Sequence, residues 1–136
     1  MKHDPDAMKA GREAGRTLAR FVSRQQMSAI LTGCGGEEWG FFQGKLIEMA
    51  AIIDAMPETY ATDAQGDEAV AHLHYFVGGC NFFITEKDCE EEQNQAFGLA
   101  DLGYGGELGY ISIEEIISCG AELDLHWKMK TIGASK

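Results

Sequence analysis

The hydrophobic period of this chain changes at Pro57, and that change limits the folds open to it. Upstream, Phe42, Leu46, Met49, Ala50, Ile53 and Met56 recur at steps of three and four, which on an α-helix makes one broad apolar face. Downstream, short stretches rich in β-branched and aromatic residues alternate with glycine and polar clusters, the pattern of strands joined by turns. Short spacings between those strands imply hairpins. The expected class is therefore α+β: N-terminal helices on one face of a small, mainly antiparallel sheet of about five strands, with one short helix before the last strand.

Within that frame the chain divides into three parts of one domain, 1–136. The first, 1–32, reads as a single basic helix entered through Asp4 and Pro5, with Leu18, Phe21, Val22 and Ile30 on its apolar side. Arg12, Arg16, Arg20 and Arg24 recur every fourth residue, so on one helix they form a stripe that drifts by only about 40° per step. Gly11 and Gly15 weaken its start by about 1 kcal/mol each relative to alanine. The run Gly33-Cys34-Gly35-Gly36 is a break, and 37–57 is a second helix, followed by a turn region from Thr59 to Asp67. The third part, 70–128, holds the strands: His72–Val77, Asn81–Glu86, Ala96–Ala100, Glu107–Ile111 and a half-exposed Ala121–Trp127. Asp88–Gln95 is expected as a solvated hairpin loop and Gly103–Gly106 as a tight turn. Ser112 with Glu115 three residues on has the spacing of a capping box for a short helix, 113–119, ended by Gly120.

No apolar run approaches the roughly 20 residues of a membrane span, and residues 1–24 carry no hydrophobic core of a secretion signal. The four cysteines form no C-x-x-C pair, so they read as reduced thiols of a cytoplasmic protein. Charge is the sharper constraint. Between Glu37 and Asp124 stand nineteen acidic residues and two lysines, Lys45 and Lys87, whereas the first thirty residues hold six basic and three acidic; the whole chain is at −11. Such a field attracts basic protein surfaces and repels nucleic acid and acidic membranes. Direct nucleic-acid binding is therefore not expected, and no membrane partner.

Three blocks carry a family resemblance: Phe82-Phe83-Ile84-Thr85-Glu86-Lys87-Asp88, then Ala96-Phe97-Gly98-Leu99-Ala100-Asp101-Leu102-Gly103, then Glu107-Leu108-Gly109-Tyr110-Ile111-Ser112. In order and spacing, the stretch from about Ala71 to Leu125 resembles a domain of unknown function common on conjugative plasmids, integrative elements and phages. The resemblance implies a mobile-element accessory protein, of a kind often found near genes that counter host defence. It implies no established activity, and the N-terminal basic helix lies outside the pattern.

The acidic surface is the first candidate for function. Carboxylates arrayed like DNA phosphates, about one charge per 1.7 Å of axis, could fill the basic groove of a restriction enzyme or CRISPR complex. Glu86, Asp88, Glu90, Glu91, Glu92, Asp101 and Glu107 are expected around neighbouring strand ends, with Tyr110 as an aromatic anchor; the plain alternative is a solvated face that keeps the protein soluble. The arginine stripe is thin for nucleic acid, with four charges and no interleaved aromatics, and suits docking on this protein's own acidic body or a second subunit's. His72 and His74 share a strand face, and with His126 they could be imagined as zinc ligands, but satisfied or surface imidazoles explain them as well. Cys80 shows no sign of activation as a nucleophile. The Gly103–Gly106 turn leads into a strand and lacks the G-K-[S/T] ending of a phosphate loop.

The reading that follows is a non-enzymatic mobile-element factor without cofactor. It binds a basic surface of a host protein or nucleoprotein complex and blocks a defence nuclease or its targeting. The alternatives are a regulatory protein-binding module of conjugation, acting through the sheet edge or the second helix, and a zinc hydrolase using His72 and His74. A homodimer is compatible with the apolar side of the first helix.

Overall fold

The computed structural model describes residues 5–34, 39–61 and 65–136. Three helices come first: α1 (Pro5–Leu18), α2 (Arg24–Cys34) and α3 (Trp39–Ala55). A single 3₁₀ turn, Gly66–Glu68, leads into β1 (Val70–Ala71), β2 (Leu73–Val77), β3 (Cys80–Glu86), β4 (Ala96–Asp101) and β5 (Gly106–Ile111). The chain closes with α4 (Ile113–Ser118), β6 (Glu122–Leu123), β7 (Lys130–Thr131) and α5 (Ile132–Ser135). The class is α+β, as the change of period predicts.

Five strands form one antiparallel sheet in the order β5-β4-β3-β2-β6. Strand alternation sends Leu73, Tyr75, Phe82 and Ile84 to one face, where they are buried against Leu18 of α1, Ile30 of α2, Met49 and Ile53 of α3, and Met56 just after it. The opposite face is not bare. Phe83 and Leu99 pack there with Ala69, Ala71, Ile132 and Trp127 in a second, smaller core, roofed by the short β1–β7 pair and by α5.

Between β3 and β4 the register slips at Thr85, since Ile84 faces Gly98 whereas Glu86 faces Phe97. This bulge fixes the residue at 98. A Cβ on Gly98 would stand 1.9 Å from the Phe83 carbonyl oxygen, so no other side chain fits without moving the sheet. The β4–β5 turn needs glycine for a different reason, with φ of +101° at Gly103 and +95° at Gly105; this agrees with the conformational reading of that run.

Three expectations need correction. The N-terminal segment is two helices, not one. The chain turns at 19–23, where Phe21 and Val22 are buried, the buried Tyr75 hydroxyl donates to the Phe21 carbonyl, and Ser23 Oγ caps α2 by accepting from the Gln26 N–H at 3.0 Å. Pro5 does begin α1, while Asp4 lies outside the described residues. The strand expected at Ala121–Trp127 shortens to the two residues of β6, because Asp124 ends it: its carboxylate accepts from the His126 N–H at 2.9 Å, a local side-chain bond that replaces the ladder beyond it. Finally, helices occupy both faces, since α5 lies with the second core. Of the expected break at 33–36, Gly33 and Cys34 belong to the end of α2, and 35–38 lie outside the described residues.

Candidate functional site

The loop between β3 and β4 (residues 87–95) is built around side chains that sequence alone places in solvent. Glu86 is 2% exposed and Asp88 6%. The Tyr60 N–H donates to Glu86 Oε1 at 2.8 Å. Asp88 accepts from the Glu90 N–H at 3.2 Å and the Gln95 N–H at 3.1 Å. Buried Gln93, at φ +57°, accepts from the Asp88 N–H and donates back to the Asp88 and Glu90 carbonyls. Glu86 and Asp88 are therefore internal supports and not contact residues. A buried carboxylate is stable here because backbone N–H groups replace its lost water.

That internal frame presents Glu90, Glu91 and Glu92 outward. The loop is also tied to α4: the Ile113 N–H donates to the Gln93 carbonyl at 2.8 Å and Ser112 Oγ to Asn94 Oδ1 at 2.6 Å. Ser112 caps α4 as its spacing predicts, accepting from the Glu115 N–H at 3.1 Å, and so Glu114 and Glu115 join the same end of the sheet. Glu58 joins it too, through a parallel bridge to Lys87. Lys87 Nζ donates to the Ile53 carbonyl at 2.7 Å, serving the C-terminal end of α3, where a cation is favourable.

The arginines do not form one stripe. Arg12 and Arg16 lie on α1, Arg20 in the turn after it and Arg24 at the start of α2. Arg20 pairs with Glu91 at 2.6 Å, both side chains largely exposed, which places basic and acidic regions of the same chain in contact but contributes only about 0–1 kcal/mol. A cleft of about 290 Å³ opens between them, lined in part by Arg16, Arg20, Asp54, Glu58, Lys87 and Cys89. Loss of water and the carboxylates of Asp88, Glu90 and Glu58 push the Cys89 thiol up, the opposite of nucleophile activation.

Beside this acidic end stands an aromatic group that sequence reading recognised only in part. Tyr60 and Tyr110 are 67% and 58% exposed. Their rings meet edge to face at 6.5 Å, and the Tyr110 hydroxyl donates to that of Tyr60 at 2.8 Å. Phe97 packs edge to face on Tyr110 at 5.9 Å. Tyr60 holds φ +79°, a conformation uncommon outside glycine, and its N–H bond to Glu86 fixes it there. Only the position of Tyr60 in a turn region hinted at exposure; nothing in the sequence pairs it with Tyr110.

Asp101 and Glu107 lie elsewhere. Asp101 faces Asn81 and Gly106, and Glu107 faces Ala100, at the end of the sheet opposite Glu86. The length of β4 separates the two ends by about 17 Å at about 3.4 Å per residue. Asp101 also accepts from the Gly103 N–H at 2.9 Å. The candidate carboxylates thus fall into a buried pair, an exposed group at one end and two residues at the other, and not into one cluster at neighbouring strand ends.

The histidines have separate duties. His74 Nδ1 lies 3.0 Å from Asp124 Oδ2 and its Nε2 2.8 Å from Asn81 Oδ1, with Phe83 stacked on the ring at 4.9 Å and Trp127 at 5.0 Å. Both ring nitrogens are engaged, which makes His74 a clasp between β2, β3 and the turn after β6. His72 Nδ1 lies 3.2 Å from Met129 Sδ, and burial lowers its pKa. His126 is exposed. Among the described residues no group of three or more His, Cys, Asp or Glu is arranged to hold a metal ion, and no helix is long and apolar enough to cross a membrane.

The fold and this surface define an α+β protein that exposes a group of carboxylates beside a tyrosine pair. The chain belongs to a protein family of unknown function, DUF2958, whose model matches residues 46–131, from the middle of α3 to β7. That covers the whole five-stranded sheet and leaves out α1 and α2. No curated protein and no solved structure matches the chain.

Proposed function

We propose that this chain is a non-catalytic binding protein that engages a basic protein surface through Tyr60, Tyr110 and the carboxylates beside them. The observation that carries the reading is the pairing of two exposed, mutually braced tyrosines with Glu58, Glu90, Glu92, Glu114 and Glu115, none of them ion-paired among the described residues. Tyrosines of this kind supply contact area at small entropic cost, and a rim of one charge steers and selects a partner of the other. In the mobile-element setting implied by the sequence blocks, the partner is a host defence nuclease or its targeting complex, and binding inhibits it. Imitation of DNA along one continuous face is the weaker form of this idea, because Asp101 and Glu107 sit at the far end of the sheet.

A reversal of charge tests the reading. The double variant Glu90→Lys and Glu92→Lys keeps the loop frame intact, since neither side chain supports it. It should weaken binding to the captured partner by about tenfold or more, and raising salt from about 0.1 M to about 0.5 M should do the same to the unmodified protein, as the screening length shrinks. Binding that withstands both would instead favour a second reading, a regulatory module that docks through apolar contact. Its supporting observation is the groove of about 580 Å³ along α2, lined by Val22, Met27 and the exposed Leu31.

A further inference from the structure

The two edges of the sheet are treated differently. At one edge β6 has two residues, and a side chain covers it. Gln26 of α2 donates from Nε2 to the Leu123 carbonyl at 2.7 Å and accepts the Leu123 N–H at Oε1 at 2.9 Å, which is the pair of bonds a neighbouring strand would make. At the other edge β5 has six residues, all in register with β4 and without a bulge. It contains no proline or lysine, the usual devices that stop an edge from pairing. Among the described residues, β4 is the only element with more than marginal contact to β5.

We infer that the β5 edge accepts an extended basic segment of the partner as a sixth antiparallel or parallel strand. This rests on the binding reading above and specifies its geometry. Charge picks the occupant. Asp101 and Glu107 stand at one end of β5, and Glu114 and Glu115 follow its other end, so carboxylates bracket a strand about 20 Å long. Between them Leu108 and Tyr110 share one face and are exposed, ready to cover alternate side chains of an added strand, as in other cases of strand addition. A second copy of this chain would bring Glu107 and a net charge of −11 against the same carboxylates. The division of the acidic residues between the sheet ends, which counts against a single DNA-like face, suits a segment with basic residues near both of its ends.

Three pools of synthetic peptides of about ten residues, long enough to span β5, provide the test with the full chain. One carries lysines at both ends around a variable core of Val, Ile, Thr and Tyr. The second is identical except for a central proline, and the third replaces the lysines by serine. Members of the first pool should bind and slow amide hydrogen exchange within β5, while their proline counterparts bind at least about tenfold more weakly. Equal binding by the first two pools with β5 exchange unchanged overturns strand addition and leaves the basic-surface reading standing. Equal binding by the serine pool removes the basic occupant together with the reading beneath it. Absence of binding by every pool overturns the inference.

Discussion

Seven carboxylates in the acidic half of the chain look alike in sequence and meet different fates in space. Glu86 and Asp88 are held inside by backbone N–H groups, Glu91 is taken up by Arg20, and Glu90, Glu92 and Glu107 remain in solvent, with Asp101 partly covered. Which of these occurs depends on whether the surrounding backbone offers donors, and residue type does not encode that. The same loop shows how such charges act on a neighbour. Cys89 is exposed, yet desolvation and the nearby carboxylates raise its pKa, and less thiolate at a given pH means slower attack on an alkylating reagent. Site-resolved alkylation near pH 8 should therefore find Cys89 slower in the folded protein than in the unfolded chain. Glu58→Gln with Glu90→Gln should speed it; equal rates in all three would contradict this account.

Among the elements, the shift from one basic helix to two is the most instructive difference. Ser23 and Gln26 have the S-x-x-Q spacing of a helix start, a signal present in the sequence but masked by the four-residue recurrence of arginine. Gln26 does not reach back to Ser23 as that box implies. It reaches across 97 positions to Leu123, joining α2 to β6. Replacing Gln26 by alanine removes both bonds and leaves the Leu123 N–H and carbonyl without them, a loss of about 1–3 kcal/mol. Chemical denaturation is expected to show that loss as a lower midpoint with an unchanged slope. A midpoint equal to that of the unmodified protein would mean water replaces the clamp and β6 needs no cover.

At the scale of the whole molecule, the described residues form two cores, one on each side of the sheet, sharing β3 and β4 between them. The larger is legible in the sequence, since helix-period and strand-period positions supply it. The smaller is not, because Ala69, Ala71, Leu99 and Ile132 come from far apart: Ala71 belongs to a strand of two residues, Ile132 to a four-residue helix, and Ala69 to the link between the 3₁₀ turn and β1. Its coherence can be measured. Ile132→Ala empties a fully buried site and should cost about 2–4 kcal/mol, in a single transition, if the C-terminal segment folds with the rest. A separate early transition, or no change, would show that segment to be an appendage.

The candidate surface divides along the same line. Glu90, Glu91 and Tyr110 were visible as exposed, interaction-prone residues because loop position and strand alternation act over a few residues. Tyr60 was not, because its partner lies fifty positions away and its conformation is held by Glu86. The amino-acid order by itself determined the helices-then-strands layout, the hairpins, the Ser112 cap and the negative charge, all consequences of local period and composition. Only the tertiary structure decided which carboxylates are inside, which sheet edge is covered and which ends of the sheet the remaining charges occupy. Those outcomes depend on contacts between distant segments, where one hydrogen-bond donor in the right place outweighs any number of like charges in sequence.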